Sequence, residues 1–94
     1  MEWNRLQVDR IQKMESYFDT LIDALKICGT SSALNEEQTL MLKELLAYYD
    51  GGDWMCDFRA DEEGLVPKTL KRGILAEDTL YDFFTEYVWN TTLR

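Results

Sequence analysis

Histidine is absent from this 94-residue chain, which also has only one proline and two cysteines. Without histidine, the histidine-containing zinc sites, the Ser-His and Cys-His nucleophile pairs and histidine proton shuttles are excluded. Cys28 and Cys56 form no CxxC motif, so neither a thiolate metal site nor a disulfide framework is predicted. No window approaches the roughly 18 apolar residues of a membrane span, and we expect a cytoplasmic protein.

The composition is that of one compact domain covering residues 1–94. Hydrophobic residues make up 46% of the chain and aromatic residues 13%, which is too apolar for a disordered tail. A domain of this size buries roughly 65% of the surface that its unfolded chain exposes. That burial is enough for a single hydrophobic core, and a second domain is ruled out.

The net charge of −8 comes almost entirely from the middle of the chain. Residues 35–63 contain nine acids and two bases, whereas residues 1–34 contain five and four, and residues 64–94 contain four of each. The basic cluster Lys68, Lys71 and Arg72 is too small for the many phosphate contacts of nucleic-acid binding. Direct binding of DNA or RNA is therefore not expected.

The apolar residues of the first 28 positions recur at the 3.5- to 3.6-residue period of an amphipathic helix. They predict a helix from Glu2 to about Cys28, which would be about 40 Å long. Two shorter helices cannot cover that length, so either residues 53–72 or a second copy of the chain must cover the rest. Trp3 and Leu6 are the residues expected at such a self-contact, and a frayed terminus is the alternative at this end of the helix.

Shorter helices are predicted in the rest of the chain. Asn35 and Gln38 have the spacing of a capping box that opens a second helix, and glycines 51–52 end it. Residues 67–72 are predicted to form a short helix with proline in its first turn, and a last helix begins at about Glu77. Because no segment alternates like a strand, the predicted fold is all-α, a three- to four-helix bundle with one long N-terminal helix.

The second half of the chain contains three stretches with a distinctive spacing of aromatic, glycine and acidic residues. They are Tyr48-Tyr49-Asp50-Gly51-Gly52-Asp53-Trp54, Asp57-Phe58-Arg59-Ala60-Asp61-Glu62 and Lys71-Arg72-Gly73-Ile74-Leu75-Ala76-Glu77-Asp78-Thr79-Leu80-Tyr81-Asp82. Their order and spacing resemble a small bacterial family catalogued as a domain of unknown function, in which serine usually stands in place of Ala76. The resemblance implies a stand-alone bacterial or phage-borne helical domain, and no activity comes with it.

The acidic residues of the middle segment are the first candidates for a functional site. If residues 53–61 are helical, Asp53, Asp57 and Asp61 share one face at i, i+4 and i+8. No EF-hand loop pattern starts at any of them, so no metal site is predicted. The remaining hypotheses are a carboxylate series that imitates nucleic-acid phosphates, and a solvated face tied down by ion pairs. The residues predicted for those structural ion pairs are Asp57, Asp61, Lys71 and Arg72.

Aromatic residues beside the glycine pair are the second candidates. Tyr49 and Trp54 fit a binding anchor next to an acidic rim, although their helical spacing is more typical of a core. Cys56 lies among aspartates, which disfavour the thiolate that nucleophilic catalysis needs. The predicted partner-binding residues are Tyr49, Asp50, Asp53, Trp54, Asp57, Asp61, Glu62 and Glu63.

These observations favour a non-catalytic acidic helical module that binds another protein and uses no cofactor. The first alternative is a phage or mobile-element inhibitor that imitates nucleic acid and blocks a basic nucleic-acid-binding protein such as a host defence nuclease. The second alternative is a structural homodimer. No enzymatic activity is predicted, because the chain has no glycine-rich phosphate loop or oxyanion motif.

Overall fold

Four α-helices dominate the computed structural model, which describes residues 4–29, 34–76 and 78–89. In chain order they are α1, Arg5–Cys28; α2, Glu36–Asp50; α3, Asp53–Glu62; and α4, Thr79–Phe84, with a 3-10 turn at Gly73–Leu75 and a π-helical turn at Thr85–Trp89. The described residues contain no strand. The prediction of an all-α bundle with one long N-terminal helix is confirmed.

Side-chain caps fix the ends of the first two helices. The Asn4 side chain accepts a hydrogen bond from the Gln7 backbone N–H, so α1 begins at Arg5, and Glu2 lies outside the described residues. At its other end, Gly29 adopts a φ of +79°, a left-handed conformation that favours glycine. The capping box between Asn35 and Gln38 is present as the sequence predicts.

The chain between α3 and α4 differs from the prediction. Residues 67–72, predicted as a short helix, form turns. The helix that follows α2 is α3, which ends before these residues. Arg72 has a φ of −130°, outside the helical range, and its side chain is bonded to Asp61 on α3. The last helix begins at Thr79, and Glu77, its predicted start, lies outside the described residues.

The core draws on α-helices and on the irregular segment alike. Its side chains with the least exposure come from α1, α2, α4 and the stretch between α3 and α4. They are Ile11, Leu21, Leu25, Leu45, Val66, Ile74, Leu75, Leu80 and Phe84. Because Val66, Ile74 and Leu75 are buried, the segment that follows α3 is an integral part of the bundle.

The chain's own segment after α2 lies on the N-terminal half of α1. Gln7 and Arg10 of α1 bond to Asp57, and Glu15 of α1 bonds to the backbone N–H of Ile74. Of the two ways considered for covering the long helix, the intramolecular one is therefore present. None of the described helices has the length and apolar character of a membrane span.

Candidate functional site

Asp57 lies at the centre of a buried polar network. Its side chain is 0% exposed and accepts hydrogen bonds from the Gln7 amide at 2.9 Å, from Arg10 Nε and Nη2 at 3.0 and 2.6 Å, and from the Tyr48 hydroxyl at 2.8 Å. These donors lie on α1 and α2, whereas Asp57 lies on α3. One carboxylate thus joins three helices.

The charges of this network are matched. The hydrogen bond to Asp57 raises the pKa of Arg10, so the guanidinium stays charged. Burial, and then the hydrogen bond to Asp57, raises the pKa of the Tyr48 phenol above its ordinary value, which keeps the hydroxyl protonated as a donor. The buried carboxylate therefore has a cation and neutral donors around it, as a buried charge requires.

The raised pKa of Tyr48 predicts a loss of stability at alkaline pH. Above the unfolded pKa of about 10 the unfolded state releases the phenol proton while the folded state keeps it, so the free energy of unfolding falls with pH by up to about 1.4 kcal/mol per pH unit for this group. Urea unfolding followed by circular dichroism between pH 9 and 11.5 measures the slope. Tyr48→Phe is expected to be less stable at pH 7 by about 1 kcal/mol and to have a shallower alkaline slope. An unchanged slope would contradict this assignment.

The ion pairs of the irregular segment are only partly those that the sequence predicts. Arg72 contacts Asp61, one of the predicted combinations. Asp57 pairs with Arg10 and not with Lys71 or Arg72, because it points into the bundle. Lys71 Nζ lies 2.5 Å from Asp19 Oδ2 on α1. Lys71 and Arg72 therefore bind the segment to two different helices.

Trp54 is part of the core and not a binding anchor. Only 6% of it is exposed, and its indole N–H donates to the Ile74 carbonyl at 2.8 Å. Its ring stacks on Phe58 at 5.0 Å and lies 5.2 Å from Tyr49. The half-buried Tyr49 also contacts Phe84 at 5.5 Å, so it is a packing residue at the edge of the core.

The predicted carboxylate series is divided between the interior and the surface. Asp53 is 61% exposed and lies 3.8 Å from Arg10 Nη1, Asp57 is buried, and Asp61 is half-buried against Arg72. The structure therefore does not expose all three evenly spaced carboxylates to the solvent. Asp57 and Asp61 are left out of the candidate binding surface, because Asp57 is buried and Asp61 is half-buried, whereas Asp53 stays exposed beside Arg10.

Four of the six acidic residues between positions 50 and 63 remain at the surface, and we call them the acidic surface: Asp50, Asp53, Glu62 and Glu63. Between its two ends α3 exposes Met55, which is 43% accessible, and the cation Arg59. A helix of this length keeps the two acidic pairs about 14 Å apart. The arrangement places an apolar side chain and one cation between two negatively charged ends.

Sequence reasoning missed Met55 and Arg10. Met55 follows the buried Trp54 directly, and Trp54, Asp57 and Ala60 define the inner face of α3 at i, i+3 and i+6. That helical phase places Met55 outside, so the register of α3 contained the signal. Arg10 is 47 residues from Asp57, and no local pattern indicates this pairing.

The structure describes one of the two residues predicted at a self-contact between copies of the chain. Leu6 is 81% exposed near the start of α1. Trp3 lies outside the described residues. No three acidic or cysteine side chains within the described ranges are grouped so that they could hold a metal ion.

Residues 11–90 match the family model described as Domain of unknown function (DUF4298). The resemblance to an uncharacterised domain family is thereby confirmed. Neither a curated protein nor a solved structure matches the chain.

Proposed function

We infer that this chain, which belongs to the family described as Domain of unknown function (DUF4298), is a non-catalytic cytoplasmic module that binds a basic surface of another protein. Binding would use the acidic surface, with Met55 as the apolar contact between its two ends. One observation carries this proposal. The segment from 50 to 63 keeps four exposed carboxylates although its two other aspartates are engaged inside the fold.

The internal contacts of α3 support a role in recognition. Asp57 fixes this helix to α1 and α2, and Trp54 fixes it to the 3-10 turn. Exposed residues on a helix held in this way lose little conformational freedom when a partner binds. Exposed carboxylates add little to the stability of the fold, whereas on a binding surface they attract and orient a cationic partner.

A partner with clustered lysine and arginine residues fits this surface best. Four carboxylates outnumber the single cation Arg59, and with Met55 they complement a basic surface that has an apolar group at its centre. Of Asp53, Asp57 and Asp61 only Asp53 is well exposed, which favours a general basic partner over imitation of evenly spaced phosphates. A nuclease would be one basic partner among several classes.

The test compares two variants with equal net charge. In the first, Asp50→Asn, Asp53→Asn, Glu62→Gln and Glu63→Gln neutralise the acidic surface and change the net charge from −8 to −4. In the second, four exposed acids elsewhere are neutralised for the same change, by Asp9→Asn, Asp23→Asn, Asp82→Asn and Glu86→Gln. A partner captured from a native lysate and then purified should bind the first variant at least about tenfold more weakly than the second.

Two further measurements are the stability of both variants and the salt dependence of partner binding. Both variants should unfold within about 2 kcal/mol of the parent chain, because each exposed substitution changes stability by about 0.5 kcal/mol or less. The purified partner should dissociate from the parent chain as salt is raised. Equal binding by the two variants would contradict the role of the acidic surface, and so would a complex insensitive to salt.

A further inference from the structure

An open groove of about 550 Å³ lies between α1 and residues 67–71, and none of its lining residues belongs to the acidic surface. Its apolar walls are Val8 on α1 and Pro67 and Leu70 on the facing segment. Sites for small organic ligands have volumes of about 300–1,000 Å³ and combine such walls with a few polar groups. The groove therefore has the size and lining of a ligand site.

Glu15 supplies a buried charge to this groove. It is only 4% exposed, and its Oε1 accepts the Ile74 backbone N–H at 2.7 Å. Within the described ranges no basic side chain lies within 4 Å of its carboxylate, in contrast to the fully paired Asp57. A buried carboxylate without a cation is unfavourable, and a cationic ligand would remove that penalty.

The cation at the edge of the groove is already engaged. Lys71 donates to Asp19 at 2.5 Å. That hydrogen bond is the main cause of the raised pKa of Lys71, and the charge of Glu15 raises it more weakly from a greater distance. The formal charges of Glu15, Asp19 and Lys71 sum to −1, so the groove favours a cation over an anion.

We propose that this groove binds a primary alkylammonium group, with the ammonium at Glu15 and the alkyl chain along Val8, Pro67 and Leu70. In this proposal the Glu15 carboxylate accepts one of the three ammonium N–H groups, and Ser16, Thr20 and Thr69, whose hydroxyls can accept hydrogen bonds, also line the groove. The same chemistry exists in free aliphatic amines and in lysine side chains. The site is separate from the proposed protein-binding surface.

Isothermal titration calorimetry with pentylammonium chloride tests the proposal, and 1-pentanol is the uncharged probe of matching length. Glu15→Gln removes the charge but keeps an oxygen that can accept the Ile74 N–H. Asp9→Asn removes one charge from an exposed position of α1 and leaves the groove intact. Urea unfolding confirms that both variants are folded. The variant in which the acidic surface is neutralised should keep its affinity for the amine, so this proposal and the previous one fail independently.

We expect pentylammonium to bind, and Glu15→Gln to weaken that binding by about tenfold or more, since a charge-assisted hydrogen bond is lost. Asp9→Asn should leave it unchanged within about twofold. Absent amine binding, equal binding of 1-pentanol, or equal binding by folded Glu15→Gln would overturn the proposal. A short peptide with an acetylated N-terminus, in which one lysine side chain is the only ammonium group, distinguishes the two sources of the ligand. Tighter binding than pentylammonium assigns the groove to lysine side chains, and weaker binding assigns it to free amines.

Discussion

Asp57→Asn is expected to lower the free energy of unfolding by about 3–5 kcal/mol. The substitution leaves the half-buried Arg10 guanidinium with only the more distant carboxylate of Asp53. An amide nitrogen also replaces one of the two oxygens that accept hydrogen bonds from Gln7, Arg10 and Tyr48. Domains of this size are stable by about 5–15 kcal/mol, so the loss is a large part of the total. Urea unfolding followed by circular dichroism at pH 7 measures it.

Asp53→Asn is the matched control. It is the same chemical change on the same helix, opposite the same arginine, but at an exposed carboxylate 3.8 Å from Arg10. Its effect should be about 0.5 kcal/mol or less. Similar effects of the two substitutions would contradict the central position of Asp57.

A double-mutant cycle separates the ion pair from the rest of the network. Arg10→Met removes the cation while keeping an apolar side chain, and we expect Asp57→Asn to be less damaging in that background. The expected coupling is about 1–3 kcal/mol, as for residues in one hydrogen-bonded network. Additive effects would mean that Gln7 and Tyr48, and not Arg10, account for the stabilising role of Asp57.

The parts of the fold that could be predicted from the sequence have local causes. The period of α1 is visible in the spacing of its own apolar residues, and the start of α2 depends on Asn35 and Gln38, which are three positions apart. Such signals act within one or two helical turns. Helix bounds at these two elements therefore agree with the prediction to within a few residues.

The error at residues 67–72 has a tertiary cause. Proline at 67 and the polar residues after it are compatible with a short helix, and local patterns offer no reason against one. In the structure Arg72 reaches Asp61, while the backbone N–H of Ile74 is bound to Glu15 and its carbonyl to Trp54. These partners on α1 and α3 hold the segment in an irregular path, and they are 11 to 59 residues away.

In the candidate site, too, features with a local cause could be predicted and features with a tertiary cause could not. The sequence predicts that the acidic run lies at the surface, because acidic residues are seldom buried. Asp57 is an exception since Arg10 and Gln7 meet it from α1, 47 and 50 residues away. The residues of the family resemblance that have assigned contacts, including Tyr48, Asp57 and Arg72, serve internal bonds. These positions of the motifs therefore stabilise the scaffold, whereas Asp50, Asp53 and Glu62 of the same motifs lie at the surface.

Trp54→Ala is expected to lower the free energy of unfolding by about 3–5 kcal/mol. The substitution removes a buried ring from between Tyr49 and Phe58 and leaves the Ile74 carbonyl without its indole donor. Trp54→Phe keeps an aromatic ring but not the donor, and should lose about 1–3 kcal/mol, the penalty of an unpaired buried carbonyl. Urea unfolding of both variants separates packing from hydrogen bonding.

Met55→Ala, at the residue after Trp54, is expected to affect partner binding and to change stability little. Met55 is 43% exposed, so its truncation should change the free energy of unfolding by about 0.5 kcal/mol or less. If Met55 is the apolar contact of the proposed surface, the same substitution weakens partner binding, because an interface methionine loses its buried area. A stable Trp54→Ala protein with weakened binding would reverse the assignment and return Trp54 to the binding surface. Loss of stability at Trp54 combined with loss of affinity at Met55 would show that neighbouring residues of α3 divide folding and recognition between its two faces.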